Sequence, residues 1–308
     1  VDLKHIVMNV LMIGGTGFLG SHIVDKLIDR DHRVTVISRN PDRKMIFDNS
    51  KVNFVKGDIL TLKELTITEK FDVIVYTAMI PFKPGRISAK KFRQLQLLTR
   101  TYFENTVNLA KKLSCPLVLT SGASFETVGN EIADEHWPLA RKGMAALGKC
   151  YDEIVADIKK NNSIPLIEML PGQIYGNGGM FLKMINMAQK GRVVILGNGK
   201  NYLPRIHVDD CASAYVLAIE KLPIGKRFIV CDNENVSVKD FMLYLAEKFK
   251  VKKVITIPKL ILRLVIGKHV YNTLTMNSKV TNSFIKNELL WQPFFPSYKE
   301  GIDALAEV

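Results

Sequence analysis

The feature that most constrains this chain is a glycine-rich turn set between a strand pattern and a helix pattern near its start. Residues 9–13 (NVLMI) form a short apolar run, and Gly14-Gly15-Thr16-Gly17-Phe18-Leu19-Gly20 follows at once. In residues 21–30, Ile23, Val24, Leu27 and Ile28 recur at helical spacing, and residues 33–38 (RVTVIS) are β-branched like a second strand. Strand, glycine turn, helix and strand within about thirty residues are the context that separates a dinucleotide-binding turn from a chance run of glycines.

The alternation continues. Residues 52–55, 72–76, 116–119, 165–170 and 227–230 read as strands, with helical periods at 89–113, 140–161, 238–249 and 258–266; Asp209 and Asp210 are expected to cap a further helix over 211–219. Strands alternating with helices predict an α/β chain with a doubly wound parallel sheet of Rossmann type. Beyond Gly172 glycines punctuate the chain more densely. The expected organisation is a cofactor domain over 1–172, with 203–231 returning to it, and a smaller substrate lobe from 173–202 and 232–308.

Within the turn, Gly14 suits the sharp exit from the strand, Gly17 the close approach of backbone to a pyrophosphate, and Gly20 the packing of helix on sheet. The helix N-terminus then offers free N–H groups to phosphate oxygens. The second strand ends at Ser38-Arg39, with Arg43 beyond it, where a site for NAD would carry a carboxylate for the ribose 2′-hydroxyl. Arginine pairs bidentately with phosphate, so NADP is expected in preference to NAD. The alternative is that Arg39 and Arg43 are loop charges in water. Asp58, with Ile59, is placed to accept from an adenine amino group, and Thr77 and Ala78 to line the cofactor path.

Composition limits the partners. Hydrophobic residues make up 47% and charged residues 24% of 308, the mixture of a globular protein rather than a disordered one. No apolar run approaches the roughly 18 residues that span a bilayer, and residues 1–5 lack signal-peptide character. The expectation is a cytoplasmic protein with a small-molecule substrate and no membrane partner. The net charge of +13 is spread along the chain, densest at Lys83, Arg86, Lys90, Lys91 and Arg93. Without an RNA motif or aromatic–basic interleaving, nucleic acid is not the expected partner. Cys115, Cys150, Cys211 and Cys231 form no CxxC pair or zinc spacing, so reduced structural thiols and no metal are expected.

Several motifs in order resemble the extended, epimerase/dehydratase-like branch of the short-chain dehydrogenase/reductase superfamily. They are the glycine turn, Gly57-Asp58-Ile59, Leu170-Pro171-Gly172-Gln173-Ile174-Tyr175-Gly176, Ile206-His207-Val208-Asp209-Asp210-Cys211-Ala212, and Leu290-Trp291-Gln292-Pro293 with Tyr298-Lys299-Glu300-Gly301. The resemblance implies hydride transfer at a C–OH or C=O, a structural role for His207, Pro171 beside the cofactor, and a homodimer through the fourth and fifth helices. It also implies a tyrosine–lysine pair at YxxxK, a helping Ser or Thr, and an Asn.

Here the chain departs from the branch. Lys149 fits the lysine, but Ala145 stands at the tyrosine position, Gly122 at the Ser/Thr position, and Tyr102 at the Asn position. Alanine has no proton to exchange with a forming alkoxide. Three readings stay open: Lys149, Tyr102, Ser121 or Ser124 takes over the acid/base role; the chain binds NADP without turnover; or the catalytic helix is read in the wrong register. Leu170, Gln173 and Leu203 replace polar residues that nucleotide-sugar enzymes of the branch use, which argues against a standard nucleotide sugar and leaves a small, less polar carbonyl or hydroxyl compound and a sugar-type substrate both open.

Overall fold

The computed structural model describes residues 6–40, 51–65, 67, 69–80 and 86–306. Its centre is a parallel sheet of seven strands: β1 (Asn9–Ile13), β2 (Arg33–Ser38), β3 (Val52–Lys56), β4 (Val73–Tyr76), β5 (Leu117–Thr120), β6 (Leu166–Pro171) and, after three strands outside this sheet, β10 (Arg227–Val230). In space they run β10-β6-β5-β4-β1-β2-β3. Winding goes outward from β1 through β2 to β3, then returns to β4 on the other side. The gap between the carboxyl ends of β1 and β4 is therefore a topological switch point, where open α/β sheets hold their ligands.

The strands read as near-continuous apolar runs because both faces are covered. Side-chain alternation sorts them: Val10 and Met12 enter one core with Val34 and Val36, while Leu11 and Ile13 enter the other with Ile37 and Ile74. Helices α1 (Phe18–Asp29) and α5 (Val208–Lys221) cover the first face. Helices α2 (Ala89–Leu113) and α3 (Lys149–Asn161) cover the second. Met12 is fully buried, so its truncation to alanine would cost about 2–5 kcal/mol.

Beyond β6 the chain forms β7 (Gln173–Tyr175), α4 (Phe181–Gln189), β8 (Arg192–Leu196) and β9 (Arg205–His207), then α5 and β10, then α6 (Val238–Lys248), β11 (Lys253–Ile257), α7 (Lys259–Leu274), α8 (Ser283–Leu289) and α9 (Tyr298–Ala306). Strands β8 and β11 pair in parallel, and β7 pairs with β9. A third core joins Phe181 and Ile185 of α4, Val193 and Ile195 of β8, Phe241 and Leu245 of α6, and Ile302 of α9. Trp291, almost fully buried, donates from its indole N–H to Ser213 of α5 at 2.9 Å and ties the end of the chain to the main sheet's covering helix. All four cysteines are free and buried.

Two local expectations change. The helix expected over 140–161 begins at Lys149, and residues 143–148 form a tighter 3₁₀ turn. Gly143 lies at φ +59°, outside helical space, and the Met144 N–H donates to the Thr273 hydroxyl of α7 at 2.7 Å instead of continuing a helix. In α5 the N-cap is His207, whose Nδ1 accepts from the Asp209 N–H at 3.3 Å; Asp209 and Asp210, expected as caps, occupy the first turn.

Candidate cofactor and active site

The glycine turn links β1 to α1 at the switch point. Gly14 has φ +96°, and a Cβ there would lie 2.5 Å from the Ala78 nitrogen and 2.8 Å from the Thr77 carbonyl carbon. The Thr77 N–H donates to the Ile13 carbonyl at 2.9 Å, which holds the two strand ends together. A Cβ on Gly20 would sit 2.1 Å from the Gly14 carbonyl oxygen, so only glycine lets α1 start this close to the turn. The first turn of α1 carries no acidic residue. Nothing there offsets its N-terminal dipole, and the N–H groups after Gly17 remain suited to an anion.

Phe18 and Leu19 begin α1. The Phe18 ring packs beneath Gly178 and Gly179, where added Cβ atoms would come within 2.4 and 2.7 Å of it. It also meets His22 edge-on, and His22 Nδ1 lies 2.8 Å from Asp209 of α5. This bracing by the 176–179 loop was missed in the sequence, where the dense glycines were the only signal.

Ser38 ends β2, nearly buried, and its hydroxyl bonds the backbone of Asn40. Arg39 is exposed beside it, and Arg43 lies outside the described residues. Asp58 follows β3 and accepts from the Leu60 N–H at 2.9 Å, capping a short turn that begins at Ile59. Tyr102 of α2 belongs to this end of the sheet. Burial raises its phenol pKa, the Asp58 carboxylate raises it further, and the Arg39 guanidinium opposes both. Tyr102 therefore sits among the residues after β2 and β3.

At the other end, Lys149 is the first residue of α3, exposed and without an ion pair or hydrogen-bond partner among the described residues. Ala145 lies four residues earlier in the 3₁₀ turn, where the Ala146 carbonyl accepts from Gln96 at 3.0 Å. Ser121 and Gly122 follow β5. A Cβ on Gly122 would meet nothing within 4 Å, so open space lies beside the end of β5. Ser124 is nearly buried and donates to the Ala140 carbonyl at 3.2 Å. Pro171 ends β6, its carbonyl accepting from the Ala123 N–H at 2.8 Å. Burial pushes the Cys150 thiol up, which disfavours a reactive thiolate beside Lys149. His207 is buried against Tyr175 and Phe295, and burial pushes its pKa down to about 4, so it is neutral at pH 7. Among the described residues no cluster could hold a metal ion.

A family pattern matches residues 10–231 of this chain. The chain belongs to the NAD dependent epimerase/dehydratase family. A relative in this family is the sterol-4-alpha-carboxylate 3-dehydrogenase, decarboxylating, of Candida albicans, 28% identical over 235 residues. That match covers 70% of this chain and 65% of the relative, so the chain spans less than two thirds of that protein's length. The fold is shared with UDP-glucose 4-epimerase of Thermus thermophilus, solved with NAD (TM-score 0.77, 18% identity, 97% of this chain and 98% of that one). It is also shared with human epimerase family protein SDR39U1, solved with NADPH (TM-score 0.75, 19% identity, 97% and 99%).

Proposed function

We propose that this protein is an NADP-dependent oxidoreductase acting on a hydroxyl or carbonyl group of a predominantly apolar small molecule. The end of β2 carries this reading: Ser38 and Arg39 stand where a carboxylate would meet the 2′-hydroxyl of NAD, and a guanidinium instead suits a 2′-phosphate. The cradle fits the rest of the cofactor. The pyrophosphate would lie on Gly15, Thr16 and Gly17 at the N-terminus of α1, and the adenine beside Asp58 and Ile59. The inner path would run past Thr77, Ala78 and Pro171 to Lys149. In this reading residues 1–172 with 203–231 hold the cofactor, and 173–202 with 232–308 wall the substrate.

Bound nicotinamide would supply or accept the hydride. Lys149 is the protein's proton carrier: its ammonium can hold the ribose and deliver a proton, directly or through Ser121, to the oxygen that becomes a hydroxyl. Ser124 has its hydroxyl committed to Ala140 and serves as a positioning residue. Tyr102 lines the adenine end and takes no part in proton transfer. The apolar substrate is supported by buried Leu203 and Leu170, which would leave a diphosphate unpaired, and by the sterol dehydrogenase relative. Two copies would pair through α2 and α3, which light scattering can check.

The test is titration with NADPH and NADH, followed by thermal unfolding, then by NADPH oxidation against a panel of ketones that includes 3-ketosteroids. Tight NADPH binding, weak NADH binding and turnover of an apolar ketone are expected. A second reading, NADP binding without turnover, is favoured by Ala145 and Gly122 standing in place of two hydroxyls. It predicts the same midpoint shift and no oxidation of NADPH with any ketone.

A further inference from the structure

Helix α7 has two unlike sides. Its inner side is packed: Leu262 is buried, the His269 ring stacks on Phe92 of α2 at 3.6 Å, and the Thr273 hydroxyl accepts from Met144 in the turn before Lys149. On its outer side Ile261 is 53% and Leu264 71% exposed, one turn apart on the same face. Lys259, Arg263 and Lys268 accompany them, and α7 carries no Asp or Glu. At Gly267 the helix breaks (φ +76°, ψ 166°), and a Cβ there would come within 3.2 Å of the Arg86 backbone. Glycine thus lets Arg86 join the group. Arg86, Arg263, Leu264, Gly267 and Lys268 line one open cleft of about 360 Å³. None of its three cations has a carboxylate partner among the described residues.

We propose that this face docks on the surface of an anionic lipid bilayer, with Ile261 and Leu264 entering the acyl boundary and Arg86, Arg263 and Lys268 meeting lipid phosphates. Single exposed aliphatic residues are ordinary on soluble proteins. Here Leu264 projects among Arg86, Arg263 and Lys268, none of them paired with an acid among the described residues, and Ile261 stands one turn before it, so apolar insertion and charge attraction would act at one place. Nucleic acid is disfavoured because the cleft is centred on leucine and its described lining has no aromatic for base stacking. A second copy is disfavoured because a two-fold contact would set this face against its own like charge. No helix among the described residues is long and apolar enough to cross a membrane, so the contact is peripheral. The inner side of α7 rests on the turn before Lys149, so docking would bring that turn close to the lipid surface. The docking itself does not depend on the cofactor or on turnover.

The test is sedimentation of the full chain with phosphatidylcholine vesicles, with and without phosphatidylserine, at equal lipid. Binding to the phosphatidylserine vesicles, weak binding to phosphatidylcholine alone, and loss at high salt are expected. The Ile261→Glu/Leu264→Glu variant should lower partitioning more than about tenfold. Arg263→Gln should lower it about fivefold. Both should keep the wild-type unfolding midpoint and its shift with NADPH. No binding of the wild type to anionic vesicles would overturn the proposal, as would binding that ignores Ile261 and Leu264. It would also be overturned if the wild type were a dimer that Leu264→Glu converts to a monomer, or if RNA but not lipid were bound at moderate salt. If vesicles bind but the NADPH shift is absent, the cofactor reading fails alone.

Discussion

The two ends of the proposed cofactor path differ in how tightly the chain closes around them. At the phosphate end, Gly14 and Gly20 occupy positions where any side chain would collide with backbone, and the first turn of α1 is free of acids. At the Lys149 end the constraints are loose: Gly122 faces open space and Ala145 sits in a 3₁₀ turn with no group to titrate. Binding and proton transfer are thus separable in this fold. Steric closure preserves the first, whereas the second depends on a few side chains that can be replaced without disturbing the sheet.

The largest effect should come from the loose end. Lys149→Ala should lower turnover by about a hundredfold or more while NADPH affinity falls only about tenfold, the loss of one charged contact to the ribose. Equal turnover would remove lysine from the proton path and favour binding alone. At the tight end, Gly20→Val should weaken NADPH by about a hundredfold, roughly 2.7 kcal/mol, as read by titration. Unchanged affinity would mean that the turn does not hold the pyrophosphate.

A smaller change should sharpen the comparison within the tight end. Arg39→Asp should weaken NADPH about thirtyfold and strengthen NADH, since one charge-assisted bidentate contact is exchanged for a ribose contact. Parallel titrations decide it, and no change in the ratio would place the 2′-phosphate elsewhere. The smallest effect lies outside both ends. Asp232 is buried with Oδ2 unpartnered, and burial pushes its pKa up to about 8 from 3.8. The folded chain then keeps a proton that the unfolded chain releases. The stability this provides is complete below about pH 4 and is lost as pH rises through 8. Asp232→Asn should therefore unfold about 2–4 °C above wild type beyond pH 8 and match it below about pH 4. Coincident midpoints at both pH values would show that Asp232 ionises freely.

What the sequence made legible follows the same division. The strands, the turn and the residues at the end of β2 are local, because a buried parallel strand is an apolar run and a close backbone approach demands glycine. The start of α3 was not legible. Its first turn yields to a hydrogen bond from Met144 to Thr273, 129 residues away, and no local period reports such a partner. The α5 cap was misread for a related reason. Asp209 and Asp210 are good capping residues, but Asp210 accepts instead from the Phe294 and Phe295 N–H groups at 2.6 and 2.9 Å, while Asp209 faces His22.

The Phe18 ring beneath Gly178 and Gly179 makes two distant stretches of chain evolve as one. A methyl added at position 178 has no room unless the ring at 18 shrinks, and a smaller residue at 18 leaves a hollow that only bulk on the opposite loop can fill. Substitutions at these sites should be penalised singly and better tolerated as matched pairs. The first helix turn is thereby tied sterically to a loop about 160 residues downstream.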